Sequence, residues 1–112
     1  MGTMDEVEAD DAAALAADGA LVLDVREDDE WAAGHVAGSM HISVGELGAR
    51  LGELPADRRI VAVCRTGARS GAITTALAAR GYDVVNLAGG LQAWIAEGFP
   101  LVGDDGLSGA VL

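Results

Sequence analysis

The sequence predicts a single α/β domain in which helices pack on a largely parallel β-sheet. Short apolar runs alternate along the chain with segments of helical periodicity, which is typical of a layered α/β fold. The longer runs are apolar on both faces, as buried parallel strands are. The 112 residues contain no repeat and no Pro/Ser-rich linker, and this length fits one compact domain. We expect that domain over residues 5–102, followed by a flexible tail over 103–112.

In the first half of the chain, glycine and proline mark the ends of the predicted helices. Acidic residues open the first helix at its positive end, and Gly19 follows it. The third helix places Val44, Leu47 and Leu51 on one face, with Pro55 after it. The predicted elements are an edge strand at 6–8, a helix at 10–18, a strand at 20–25, a helix at 27–33, a short strand at 41–42 and a helix at 44–53.

The second half of the chain repeats the strand–helix alternation. Gly81 ends the fourth helix, and Gly89-Gly90 forms a turn before the last one. Leu91, Trp94 and Ile95 are expected to face inward from that last helix. The predicted elements are a strand at 59–63, a helix at 69–80, a strand at 83–87 and a helix at 91–97.

The composition argues against nucleic-acid-binding and membrane proteins. The net charge of −11 disfavours nucleic acid and anionic membranes as partners. No apolar run reaches the roughly 18 residues that a membrane span needs, and no signal peptide is recognisable. We therefore expect a cytoplasmic protein.

The cysteine count also limits the chemistry. One cysteine excludes an internal disulfide and a multi-cysteine zinc site. His35 and His41 would have to join Cys64 from distant positions to bind a metal. We expect neither a metal nor a cofactor.

Cys64 is the candidate functional residue because it stands where a buried strand ends. In open parallel sheets, functional groups gather beyond the carboxyl ends of the strands, and Asp24 lies near another such end. The loop from Arg65 to Ser70 contains Gly67, which can adopt a left-handed conformation. A loop of this kind before a helix can point its N–H groups inward and bind an anion.

This setting predicts a reactive thiolate. A helix N-terminus and neighbouring arginines lower the pKa of a cysteine, and the thiolate is the nucleophilic form. Arg65 and Arg69 would hold an anionic substrate by charge-assisted hydrogen bonds. A buried structural cysteine, a phosphate-handling nucleophile and a sulfur-handling nucleophile all stay open at this point.

Three motifs, taken together, resemble those of the rhodanese family. They cover roughly residues 7–102 in the order that the family uses. They are Asp24-Val25-Arg26 with Glu30-Trp31, Gly34-His35-Val36 and Gly38-Ser39; then Cys64-Arg65-Thr66-Gly67-Ala68-Arg69-Ser70; then Asn86-Leu87-Ala88-Gly89-Gly90 with Trp94.

The resemblance implies a three-layer α/β/α fold around a five-stranded parallel sheet in the order 1-5-4-2-3. It also implies a sulfurtransferase in which Cys64 takes a sulfur atom from a donor such as thiosulfate, forms a persulfide and passes the sulfur to cyanide or a thiol. A sulfur-carrier protein is a further expected partner. The residues implied to bind the substrate are Arg65, Thr66, Gly67, Ala68, Arg69 and Ser70.

Loop length separates this interpretation from its nearest competitor. Cysteine-dependent phosphatases use C-x5-R, whereas Cys64 and Arg69 form C-x4-R. The shorter loop favours sulfur over phosphate or arsenate. A regulatory or sulfur-relay module without fast turnover is the alternative from another class.

The side chains near the loop have structural as well as functional interpretations. Asp24 either orders the active-site loop from behind or binds local N–H groups at its strand end. Arg26 and Glu30 are expected to form an ion pair, and His35 to be a hydrogen-bonded structural residue. Trp31, like the other tryptophan, is expected to anchor the core.

Overall fold

The computed structural model describes residues 5–105 and 108–112, and these residues form one sheet with helices on both of its faces. The strands are β1 (Glu6–Val7), β2 (Leu21–Asp24), β3 (Met40–His41), β4 (Ile60–Val63) and β5 (Val84–Leu87). The helices are α1 (Ala9–Ala17), α2 (Asp28–Ala33), α3 (Val44–Leu47), α4 (Ala68–Ala79) and α5 (Gly90–Ala96), and a 3₁₀ segment spans Gly48–Glu53. Among the described helices, none is long and apolar enough to cross a membrane.

The sheet is parallel throughout, with the strand order β1-β5-β4-β2-β3. This confirms the predicted three-layer fold and strand order. β4 lies at the centre, where Val63 pairs with Asp24 of β2 and Ala62 pairs with Asn86 of β5. Because the strands run in one direction, their carboxyl ends meet at one edge, where Cys64 follows β4.

The strands bury both faces because their side chains alternate between two apolar cores. On one face, α1 and α5 cover a cluster that includes Val22, Val61, Val63, Val85, Leu91 and Trp94. On the other face, α3 and α4 cover a cluster that includes Leu23, Ile42, Leu47, Ile60, Ala62, Cys64 and Leu77. Cys64 therefore belongs to the core layer beneath α4 as well as to the edge of the sheet.

Two details of the predicted helices are wrong. The helix expected over 44–53 ends at Leu47, because two glycines in the next six residues lower helix propensity and Arg50 leaves the helical region at φ −115° and ψ 16°. Val44 is 41% exposed and Ile95 is 42% exposed, so neither faces the core. Ile95 follows the buried Trp94 by one residue, which turns it to the outer side of α5.

The C-terminal residues contact the domain and do not form a tail free of contacts. The Gly109 N–H donates to the Leu101 carbonyl at 2.9 Å, and the Ala110 N–H donates to the Ala33 carbonyl at 2.9 Å. A Cβ placed on Gly34 would lie 2.5 Å from the Ala110 backbone, so the two backbones pack directly. Residues 106 and 107 lie outside the described part of the chain. The domain bounds at 5–102 and the flexibility of 103–112 stay predictions.

Candidate active site

The loop after β4 turns back on itself before α4 and encloses the sulfur of Cys64. Cys64 is 1% exposed and lies at the base of the loop. Gly67 caps α4 in the left-handed conformation at φ +99°, and a Cβ there would come within 3.3 Å of the Leu87 carbonyl. Glycine meets both requirements of this position, the positive φ and the close approach of β5.

Several donors face the Cys64 sulfur. The Gly67 N–H donates to Sγ at 3.1 Å and the Ser70 N–H donates to it at 3.4 Å. The Ser70 hydroxyl oxygen lies 3.3 Å from Sγ. The sequence therefore predicted correctly that loop amides would converge on the sulfur.

These donors decide the ionisation of the thiol. Burial raises the pKa of Cys64, but hydrogen bonds from the Ser70 hydroxyl and from the Ser70, Gly67 and Thr66 N–H groups outweigh it, so the pKa lies below its ordinary value. A lowered pKa increases the thiolate fraction at neutral pH. The site can thus supply a nucleophile without a partner base.

The first turn of α5 holds the loop from behind. The Leu91 N–H donates to the Cys64 carbonyl at 2.8 Å, and the Gln92 N–H donates to the Arg65 carbonyl at 3.0 Å. The N–H and C=O of a trans peptide point in opposite directions. Because the Arg65 carbonyl points toward α5, the N–H of the same peptide, that of Thr66, points away from α5. Gly90 permits this contact, since a Cβ on it would lie 2.5 Å from both carbonyl oxygens.

Arg69 is bound to a carboxylate outside the loop. Its two terminal nitrogens donate to the Glu30 oxygens at 2.7 and 2.9 Å, and this pairing lowers the pKa of Glu30 to about 2. The predicted Arg26–Glu30 ion pair is therefore wrong. Arg26 reaches only the backbone carbonyl of Glu30, at 3.2 Å.

Arg26 pairs instead with Asp24, and both side chains are 0% exposed. The guanidinium donates to both carboxylate oxygens at 2.7–3.1 Å and to the Gly34 carbonyl at 2.6 Å. The Arg26 N–H also donates to Asp24, at 3.1 Å. Of the two roles considered for Asp24, these contacts match local bonding at the strand end, two residues away in sequence.

Three other predicted binding residues lie on the solvent-exposed part of the loop. Arg65, Thr66 and Ala68 are exposed. Within residues 5–105 and 108–112, no hydrogen bond or ion pair engages the Arg65 guanidinium. Arg65 is thus the loop arginine whose charge no described carboxylate neutralises.

Asn86 is the site residue for which the sequence predicted no role. It is 0% exposed, its Oδ1 accepts from the Ser70 hydroxyl at 2.6 Å, and its Nδ2 donates to the Gly67 carbonyl at 3.1 Å. The available signal was a carboxamide inside the otherwise apolar strand β5, because a buried polar side chain needs a partner.

Both histidines stack on Trp31, which belongs to neither of the two core clusters. His35 stacks on it with ring centroids 3.6 Å apart, and His41 with centroids 4.8 Å apart. The prediction that Trp31 anchors the core is wrong, whereas Trp94 is 6% exposed and does so. His35 is hydrogen-bonded as predicted, through Nδ1 to the Trp31 carbonyl at 2.8 Å. Among the described residues, no cluster of three metal-ligating side chains forms.

Comparison with known proteins supports the family resemblance that the sequence motifs indicated. The profile of the rhodanese-like domain matches residues 8–97. A sulfurtransferase of Allochromatium vinosum is 37% identical over 87 residues, which are 77% of this chain and 81% of that protein. A thiosulfate sulfurtransferase of Pseudomonas fluorescens is 31% identical over 84 residues, which are 74% of this chain and 77% of that protein.

A solved structure extends the likeness to the whole architecture. The crystal structure of a rhodanese-related protein from Thermoplasma volcanium aligns with a TM-score of 0.83 and 35% identity, over 88% of this chain and 97% of that one. The span that the family profile matches, residues 8–97, includes β2, the cysteine loop and the turn before α5, the three places where the sequence motifs lie. The chain therefore belongs to the rhodanese family, and its general chemistry is sulfur transfer or sulfur relay.

Proposed function

We propose that this protein is a thiosulfate-type sulfurtransferase that works through a Cys64 persulfide. The thiolate attacks the outer sulfur of thiosulfate, the S–S bond of the donor breaks, and sulfite leaves with the electron pair. The enzyme then carries Cys–S–S⁻. Cyanide or a thiolate attacks the terminal sulfur, which regenerates the Cys64 thiolate and releases thiocyanate or a new persulfide.

The observation that carries the proposal is the convergence of loop N–H groups on Sγ at 3.1 and 3.4 Å. A persulfide places its negative charge about 2 Å beyond Sγ, the length of one S–S bond, where inward N–H groups stabilise it. Arg65 is an exposed residue of the same loop, and its charge would bind the sulfonate end of thiosulfate.

The position of Arg69 supports sulfur over phosphate. A phosphatase loop needs its arginine on the phosphate oxygens, whereas Arg69 already donates two hydrogen bonds to Glu30. Cys64-dependent cleavage of an aryl phosphate would contradict this reasoning.

Intact mass spectrometry tests the proposal directly. Wild-type protein incubated with thiosulfate should gain one sulfur atom and lose it on addition of cyanide. Cys64→Ser is a clean control, because Cys64 is the only cysteine. No adduct on the wild type, or the same adduct on Cys64→Ser, would refute the proposal.

The chain's charge favours a second candidate, a sulfur relay that receives its sulfur from another persulfide-bearing protein or a sulfur carrier. A net charge of −11 repels the thiosulfate dianion and slows its approach. A relay should show slow turnover with thiosulfate and cyanide, but fast loading from a protein persulfide. If repulsion limits thiosulfate turnover, added salt should raise kcat/KM.

The proposed chemistry also requires a free thiol. Cys64 is unpaired, and reducing compartments keep thiols in that form. This supports a cytoplasmic location, which fractionation of the native host would test.

A further inference from the structure

Asn86 is a buried carboxamide that links the edge strand to the cysteine loop. Its Nδ2 donates to a Glu6 carboxylate oxygen at 3.0 Å and to the Gly67 carbonyl at 3.1 Å. Because both of these groups are acceptors, the carboxamide can bind them only with its nitrogen. Its oxygen therefore faces the Ser70 hydroxyl, which donates to it at 2.6 Å.

The Ser70 hydroxyl has one proton and two acceptors within reach. Asn86 Oδ1 lies 2.6 Å from Ser70 Oγ, and Cys64 Sγ lies 3.3 Å from it. While Cys64 is a thiol, the proton stays on the shorter contact and the S–H can donate to the hydroxyl oxygen. When Cys64 ionises and its proton goes to solvent, the hydroxyl must leave Asn86 before it can donate to the thiolate.

We propose that Asn86 is a positioning residue that competes with the Cys64 sulfur for the Ser70 hydroxyl proton. It acts on the nucleophile only through Ser70. The inference rests on the Cys64 nucleophile of the proposed function. Its consequence is that the resting thiolate is less stabilised than the loop alone would make it.

The surrounding contacts limit what else Asn86 does. The Gly67 carbonyl also accepts from the Gly71 N–H at 2.9 Å, so it keeps a donor when the carboxamide is removed. Glu6 is exposed, and water can replace its bond. Ser70 is 0% exposed and has no such replacement. Loss of the carboxamide therefore mainly leaves the Ser70 hydroxyl without its acceptor.

Alkylation of Cys64 by iodoacetamide as a function of pH measures this effect. Asn86→Leu keeps the side-chain size and removes the acceptor, so the ionisation constant of Cys64 should increase about two- to tenfold, the size of one net hydrogen bond. Ser70→Ala should decrease it. In the Ser70→Ala background, Asn86→Leu should change nothing. Thr74→Val is the matched control, because Thr74 is buried on α4 and bonds the Ser70 carbonyl rather than the sulfur.

An unchanged or smaller ionisation constant in Asn86→Leu, or an equal change in both backgrounds, would overturn the inference. If Asn86→Leu fails to fold, an NMR titration of the wild-type protein tests the inference without that variant. The NMR signals of the Asn86 side-chain amide should titrate with the midpoint of Cys64 ionisation, and the shift should fall by at least about half in Ser70→Ala. Equal shifts in the two proteins would also overturn it. Alkylation needs no sulfur donor, so absence of the persulfide would refute the proposed function alone.

Discussion

Substitution of Glu30 by glutamine should destabilise the fold in a manner that depends on pH. Arg69 donates two hydrogen bonds to this carboxylate and lowers its pKa from 4.5 to about 2. That difference corresponds to about 3 kcal/mol if each pH unit contributes ~1.4 kcal/mol. The Arg69 side chain is 39% exposed, and solvent screening reduces the expected loss in Glu30→Gln to about 1–2 kcal/mol at neutral pH.

The sign of the pH dependence follows from the direction of the shift. The folded-state pKa of Glu30 lies below the unfolded value, so the pair contributes fully above about pH 4.5 and its contribution is lost as the pH falls toward about 2. In the wild type, the Glu27 N–H donates to the Glu30 carboxylate at 3.1 Å. The side-chain oxygen of glutamine can accept the same hydrogen bond. The start of α2 is therefore preserved, and the change isolates the pair with Arg69.

Urea unfolding of the wild type and Glu30→Gln, from about pH 7 to about pH 2.5, measures the difference. Glu53→Gln is the matched control, since Glu53 accepts two bonds from Arg50 at 2.8 and 2.9 Å but is 48% exposed. Its effect should be smaller. A Glu30→Gln difference that is as large at the lowest pH as at neutral pH, or that does not exceed that of the control, would contradict this prediction.

Three further predictions concern the loop and its supports. Gly90→Ala should slow sulfur transfer at least about tenfold, because the added Cβ would lie 2.5 Å from the carbonyl oxygens of the cysteine loop. Gly98→Ala is the control, because Gly98 shares the positive φ but a Cβ there would meet nothing within 4 Å. It should cost only backbone strain of about 1 kcal/mol and leave the rate unchanged. Arg26→Leu should lower the free energy of unfolding by about 3–5 kcal/mol, because it leaves the buried Asp24 carboxylate unpaired; a loss below about 1 kcal/mol in urea unfolding would contradict this. Arg65→Ala should raise KM for thiosulfate about tenfold and leave loading from an uncharged polysulfide unchanged; equal effects on both donors would argue against a role in binding the sulfonate.

The secondary structure was predictable because it depends on local patterns. The runs that became β2, β4 and β5 are mostly apolar on both faces, which is typical of strands buried between two helical layers. Gly81 follows α4 in the structure as predicted, and the Gly67 of the predicted loop caps the start of that helix. The strand order came from the family resemblance, since periodicity does not say which strands are neighbours.

The ionic partners were not predictable in the same way. Arg26 and Glu30 are four residues apart, a spacing that favours pairing on a helix, yet Arg26 precedes α2 and lies in the strand-end turn with Asp24. Glu30 instead meets Arg69, 39 residues further along the chain. That contact exists only because β4 lies beside β2 in the sheet, so it follows from tertiary structure that no local pattern contains.

These pairings also bear on how a chain with net charge −11 can hold an anion. The Arg69 charge is neutralised by Glu30, and the Arg26 charge by Asp24. The donors that face the sulfur itself are N–H dipoles and the Ser70 hydroxyl, and the N-terminal turn of α5 binds two carbonyls of the loop. Oriented dipoles stabilise a small charge at short range without adding net positive charge. A site of this kind suits the single charge on a persulfide sulfur better than a phosphate dianion, which would need Arg69 to leave Glu30.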